Sequence, residues 1–380
     1  MTKLEATLAL TKLIAPANKN IQNVQKELLS YETEEWEQIV SIANDDLLAP
    51  LLYKSLQRKQ LYELIKDEQL KGFLKEIYKL NETRNIAILE QLHEISSILK
   101  TIGVKPTLLK GATALSEKHF ENIGERAMTD IDFYVPDEKI WETIDILKEH
   151  GYKEIDPDYQ MRGDWHHYKR MYRDDVAASI EIHRLLLKEE SLKYFPTLSR
   201  DELFTQSSEI ENAYVLKPTY ELYYSFLHTE VSHMYHLHTY LALRHLQHFG
   251  VMVEKYRQEI DFDYLTKLTT KTNINDTWND YLSVQNEFFE LDVITKPSSY
   301  VQKIKDKLNT KHNRYLQLKS LITMILNGLS YNNLQKHYKF NNRAMMLLYV
   351  PHRVVKLLYI YTTDKTKKRW LFQTSEHLSS

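Results

Sequence analysis

Two carboxylates, Asp130 and Asp132, stand two residues apart in the stretch Thr129-Asp-Ile-Asp-Phe-Tyr-Val135. Ile131, Phe133 and Val135 alternate with them, so the stretch reads as a strand carrying both acids on one face. Two carboxylates held that close repel unless a cation lies between them, and a hard, oxygen-liganded ion such as Mg²⁺ suits the pair. Upstream, the short apolar run Pro106–Leu109 leads into Lys110-Gly-Ala-Thr113 and then into a helical stretch ending near Phe120. Its glycine lets backbone approach a ligand, and a helix start offers free N–H groups to phosphate. A third acid on a neighbouring strand completes the set. Glu181 in Ser179-Ile-Glu-Ile-His-Arg184 is the candidate, because Ile180 and Ile182 would turn to the core. The order of parts describes a phosphate cradle beside a metal site.

Composition removes the main competitors. The 380 residues include eight glycines and no cysteine, and no two glycines lie closer than eight positions. The glycine-clustered dinucleotide loop, the Walker A loop and the Gly-x-Ser-x-Gly elbow are therefore excluded. Disulfides, cysteine zinc sites and thiol nucleophiles are excluded with them. A formal charge of −2 gives no global field for nucleic acid. No apolar run is long enough to span a membrane and no secretory signal stands at Met1–Leu13, so a cytoplasmic protein is expected.

The elements that must position these residues follow from periodicity. Residues 1–103 read as a helical region, with a helix over Tyr78–Ile102 that buries Ile86, Leu89, Leu92, Ile95 and Leu99 and ends at Gly103. Residues 104–200 read as a mixed α/β core. In it Pro136 stops the Asp130 strand, Asp137 caps a helix ended by Gly151, and short strands follow at Tyr152–Ile155, His167–Tyr172 and Ala177–His183. Residues 201–380 read as a helical domain, with helices over Pro218–Tyr256, Tyr300–Leu329 and Asn341–Tyr361. The expected class is α+β and predominantly helical.

The stretches Leu108-Leu-Lys-Gly-Ala-Thr-Ala-Leu115, Arg126-Ala-Met-Thr-Asp-Ile-Asp-Phe-Tyr-Val135 and His150-Gly-Tyr152 resemble the uncharacterised nucleotidyltransferase family of the polymerase-beta-like superfamily. Glu35-Trp36 and Leu47–Leu51 resemble that family's N-terminal helical region. Ile180-Glu-Ile-His183 resembles its third-carboxylate strand, and Arg244 falls in a segment similar to its C-terminal helices. The resemblance implies a minimal nucleotidyltransferase fold: a short mixed sheet flanked by helices, binding a nucleoside triphosphate such as ATP with Mg²⁺ or Mn²⁺. It implies that Asp130, Asp132 and Glu181 are the catalytic and metal-binding acids, with Glu181 helping to deprotonate an acceptor hydroxyl. Lys110, Gly111, Ala112, Thr113 and Arg126 are the implied nucleotide-binding residues. The wider superfamily usually places Ser or Gly after the turn glycine; here it is Ala112, and Thr113 is the nearest hydroxyl. The acceptor is open between a small molecule, a protein and a tRNA. A non-catalytic binding or scaffold protein on the same fold is the alternative.

His228, His233, His236, His238, His245 and His248 lie in the stretch taken as one helix. At about 100° per residue they spread around it, with only His238 and His245 on one face, so ordinary interhelix histidines are expected rather than a zinc site. His166-His167 beside Trp165 is a candidate for the active face. From Lys336 onward nine Lys/Arg face two acids, which suits either an anionic lipid or RNA surface or a packed helix with a solvated basic tail.

Overall fold

Residues 68–100 contain one glycine and no proline, and in the computed structural model they form one 33-residue helix. The structure describes residues 1–16, 21–156, 165–195, 203 and 205–309. The chain divides into two compact units, 1–308 and 309–380. The basic C-terminal stretch, the helix expected over Asn341–Tyr361 and the later part of Tyr300–Leu329 lie outside the described residues. No helix among the described residues is long and apolar enough to cross a membrane.

Four helices precede the long one: α1 (Lys3–Ile14), α2 (Ile21–Leu28), α3 (Thr33–Asp45) and α4 (Ala49–Arg58). A Thr2/Glu5 capping box starts α1, satisfying two otherwise orphaned N–H groups. The long helix, α5 (Glu68–Lys100), starts earlier than its apolar repeat suggests, at an Asp67 cap. It buries Leu92, Ile95 and Leu99 as expected, but Leu89 is only half-buried, Ile86 points outward and is 48% exposed, and Ile88 is buried instead. Asn85 takes the inward place one position before Ile86 and is fully buried. Gly103, at φ +71°, ends the turn after α5.

The α/β core follows: β1 (Thr107–Leu109), α6 (Lys110–Ser116), β2 (Asp130–Tyr134), α7 (Ile140–Glu149), β3 (Lys153–Glu154), β4 (Met171–Tyr172) and β5 (Ser179–His183). Asp137 opens a short 3₁₀ turn before α7 rather than capping it. After α8 (Glu189–Leu192) come two strands that the helical reading of this region omits, β6 (Ser207–Ile210) and β7 (Ala213–Leu216). All seven strands form one sheet in the order β3-β4-β5-β2-β1-β7-β6. Pairs β1–β7 and β2–β5 are parallel and the others antiparallel. Ile131, Phe133, Ile180 and Ile182 are fully buried in its centre, against α5 and α7. Burial of each such side chain stabilises by about 1.5–3 kcal/mol. The class is α+β, predominantly helical, with a mixed sheet.

The remaining helices are α9 (Pro218–Phe226), α10 (Tyr235–His238), α11 (Leu243–Tyr256), α12 (Phe262–Lys271), α13 (Asn275–Phe289) and α14 (Tyr300–Asn309). The single helix expected over Pro218–Tyr256 is therefore broken. A π turn at Leu227–Ser232 and left-handed residues at Met234 (φ +56°) and Thr239 (φ +51°) fold it back, and α9 packs on α11. With α1, α3 and α4, these helices build a second and larger apolar core.

Candidate active site

Strand pairing settles which acids meet. Asp132 on β2 lies opposite Glu181 on β5, and Asp130 opposite Ser179, so the period of two puts Asp130, Asp132 and Glu181 on one face. On the other side β1 pairs with β2 at Leu109–Asp132, which sets Lys110 beside the same acid. Lys110 Nζ donates to Asp132 Oδ1 at 2.8 Å. His183, two residues beyond Glu181, places Nε2 2.9 Å from the same oxygen. Arg170 donates to Glu181 Oε1 at 2.7 Å and to Asp130 Oδ2 at 3.0 Å, bridging the two.

The electrostatics follow from these contacts. Burial opposes the charge on Asp132, yet Lys110 and His183 hold its carboxyl well below the usual range. Burial, then the charges of Asp132 and Glu181, raise Asp130. Lys110 is kept protonated by Asp132 against the cost of burial. Two adjacent acids with opposite shifts are the signature of a site built to share positive charge.

Lys110 has φ +54°, a left-handed conformation that costs a residue with a Cβ about 1–2 kcal/mol. That backbone turns its ammonium onto Asp132. Gly111 follows for a steric reason: a Cβ there would lie 2.9 Å from Met128 Cγ. Ala112 and Thr113 are buried, and Thr113 Oγ1 donates to the Leu108 carbonyl at 2.9 Å, so its hydroxyl is committed to the fold.

Arg126 is carried on a loop that α5 clamps from below. Asn81 and Asn85 donate to the carbonyls of Gly124, Ile123 and Arg126, and Arg84 donates to that of Met128. These inward amides explain the displaced apolar stripe of α5. Gln91, nearly two helical turns beyond Asn85, holds the start of β5 through both backbone groups of Ala178. Arg126 itself is 7% exposed and forms no ion pair among the described residues; its Nε has no hydrogen-bond partner. Burial, then the nearby Arg244, lowers its guanidinium to about 9.

A cleft opens over these residues. Its core wall is Lys110, Gly111, Asp130, Asp132 and the segment Arg126–Thr129. Its opposite wall comes from the helical half: Glu221, Tyr224 and Ser225 of α9, His228 of the π turn, and Arg244, His245 and His248 of α11. Of the residues singled out in the sequence, the structure thus brings Lys110, Gly111, Arg126, Asp130 and Asp132 to the cleft. Glu181 joins them through Arg170, while the side chains of Ala112 and Thr113 lie beneath. His166 and His167 stand with ring centroids 5.7 and 5.3 Å from that of His183, behind the acids. The even spread of histidines does not survive the helix break: His228 and His233 bring their Nε2 atoms to 3.2 Å, and His245 lies 6.2 Å from His228 ring to ring.

His183, Arg170 and Arg244 carry chemistry that the sequence reading did not assign. The signal for His183 was available, since it shares the face of Glu181 by the same period of two.

A family model described as "Uncharacterised nucleotidyltransferase" matches residues 32–290. The chain belongs to this family. No curated protein and no solved structure matches it. The matched span runs from the start of α3 to the end of α13, so it includes both walls of the cleft. The chain is thus a transferase of the nucleotidyl class. Its acids, together with His183, form a group able to hold a metal ion: one ligand atom each from Asp132, Glu181 and His183 lie within 4.8 Å of one another.

Proposed function

We propose that this chain transfers a nucleoside monophosphate from a nucleoside triphosphate, ATP among the donors, to an acceptor hydroxyl with release of pyrophosphate. The observation that carries the reading is the pairing of Asp132 with Glu181 across parallel strands, with Asp130 on the same face and Lys110 at the adjoining turn. Asp130, Asp132 and Glu181 would hold Mg²⁺ or Mn²⁺, and the donor set fits such an ion, being hard oxygen with excess negative charge. When bound, divalent ions supply charge stabilisation to the entering and leaving oxygens of the displacement. Lys110 and Arg170 neutralise the acids meanwhile, and the Arg170 side chain is 46% exposed, so its withdrawal forfeits little packing.

The chain's own residues then have separable tasks. Lys110 and Arg126 from the core wall and Arg244 from the helical wall bind the triphosphate charge. Gly111 keeps the turn close to that site, and Ala112 and Thr113 contribute backbone alone. Glu181 accepts the proton of the attacking hydroxyl. The acceptor is a small molecule, a protein or a tRNA, and the compartment that holds the donor, the cytoplasm, is the proposed location.

The test is incubation with each α-labelled nucleoside triphosphate, Mg²⁺ and cell lysate, wild type against Asp130→Asn/Asp132→Asn. Label in a protein band, in tRNA or in a small product identifies the acceptor. Absence of label and of pyrophosphate with every triphosphate refutes the reading. The second reading, a non-catalytic binding module, draws on the acids being fully engaged by Lys110, Arg170 and His183. Pyrophosphate release that the double variant lacks removes it.

A further inference from the structure

Three side chains from three different elements converge outside the acidic group. His119 follows α6, Glu221 is on α9 and His248 is on α11, and each is about 5% exposed. His119 Nδ1 lies 2.9 Å from His248 Nε2, and His119 Nε2 lies 3.9 Å from Glu221 Oε2. One donor atom from each residue can be chosen so that all lie within 4.8 Å of one another.

Hydrogen bonding accounts for the group only in part, through the His119–His248 contact. His119 Nε2 and Glu221 Oε1 are buried and have no hydrogen-bond partner among the described residues. An ionised carboxylate left so costs several kcal/mol, and a cation shared with the imidazole lone pairs removes that cost. Aromatic rings close the surroundings: Phe120 stacks on His248 at 5.7 Å and Tyr256 meets His119 edge-on at 5.6 Å. These rings shield the two imidazoles on one side, the cations Arg126 and Lys255 lie near His119 as well, and Glu221 supplies the group's own negative charge.

We propose that His119, Glu221 and His248 form a binding site for a borderline divalent transition ion of the Zn²⁺ type, separate from the hard-ion acids. Two imidazoles and one carboxylate are a ligand set for zinc, and three protein ligands leave a coordination position open. Glu221 and His248 also line the cleft, so that position adjoins the cleft wall. The ion would pin the segment after α6 to α9 and α11, joining the sheet core to the helical wall. This inference stands independently of nucleotidyl transfer.

The experiment uses the full chain, dialysed against a weak chelator, with metal content by elemental analysis, Zn²⁺ titration by calorimetry, and Co²⁺ as a visible-absorption probe. About one equivalent of zinc is expected in the wild type. Glu221→Gln and His119→Gln are each expected to weaken zinc binding at least about tenfold, with far-UV circular dichroism confirming that they fold. Asp130→Asn/Asp132→Asn is expected to keep the zinc and the Co²⁺ spectrum. The proposal is overturned if the wild type takes up no zinc, if both ligand variants bind it as well as wild type, or if binding disappears in the aspartate double variant alone.

Discussion

Arg126 is a buried cation that forms no ion pair among the described residues, and this makes its removal informative. A fall to about 9 from an ordinary value above 12 corresponds to about 4–5 kcal/mol as a ceiling on the cost of keeping the guanidinium charged. Arg126→Met keeps most of the stem's packing and deletes that charge, losing one hydrogen bond to the Ala127 carbonyl worth about 1 kcal/mol. Replacing buried ions by apolar groups commonly stabilises by about 1–4 kcal/mol, so a gain of about 2 kcal/mol is expected without ligand. Tripolyphosphate or a nucleoside triphosphate should reverse the order. At a hundredfold excess over its Kd a ligand stabilises the wild type by about 2.7 kcal/mol, and Arg126→Met should forfeit most of that gain. Urea denaturation at neutral pH, with and without tripolyphosphate, measures both quantities on one pair of proteins. If Arg126→Met is less stable than wild type without ligand and gains as much from tripolyphosphate, Arg126 is a structural residue and the anion-cradle argument fails.

Three other outcomes follow from the geometry. Lys110→Gly relieves the left-handed backbone, worth about 1–2 kcal/mol, but breaks a buried ion pair, which costs about 3–5 kcal/mol, so stability should fall by about 1–4 kcal/mol while the KM for the triphosphate rises at least about tenfold in steady-state assays. Gly111→Ala should cost about 1–3 kcal/mol by overpacking against Met128, and Met128→Ala in the same chain should recover most of it, which thermal unfolding of the four proteins would reveal. Glu230 is buried and its carboxyl is pushed up to about 8, so the folded state holds a proton that the unfolded chain gives up above its ordinary carboxylate range. Wild-type stability should therefore fall as pH rises from about 4.5 through 8, whereas Glu230→Gln should be flat by comparison and the more stable protein at pH 9; equal pH profiles from denaturant titration would contradict this.

The acidic strand was legible because its chemistry and its core packing use opposite faces of one element. Ile131 and Phe133 announce the strand, and the same alternation forces Asp130 and Asp132 together. Glu181 was legible for the same reason, and the parallel β2–β5 register then supplies the contact that no linear pattern contains. Strands β6 and β7 were not legible. Ser207-Ser-Glu-Ile210 is a polar outer strand, short of the apolar alternation that marks a half-buried one, and its turn rests on Glu211 at φ +49° rather than on a glycine. Arg170 was missed because its partners lie 40 and 11 residues away and only the sheet joins them.

The broken helix over Pro218–Tyr256 decides more about the site than any single residue. At 1.5 Å per residue an unbroken helix of that length would run nearly 60 Å, and one helical wheel would then describe all its histidines. It is interrupted where Thr229 Oγ1 donates back to the carbonyls of Ser225 at 2.9 Å and Phe226 at 3.2 Å. Back-bonding of this kind bends helices, and here it coincides with the π turn that starts at Leu227. The fold-back returns α11 alongside α9, so Arg244, His245 and His248 face the same cleft as Tyr224 and His228. Without the break Arg244 would lie some 30 Å along the axis from Tyr224, and Arg126 would face no second cation. The signal in the sequence is therefore not the histidine spacing but the hydroxyls of Ser225, Thr229 and Ser232, set at three- and four-residue intervals within an otherwise apolar face. A run of that kind inside a long helical pattern is grounds for abandoning the single wheel at that point, and with it any argument from angular spread about which side chains can meet.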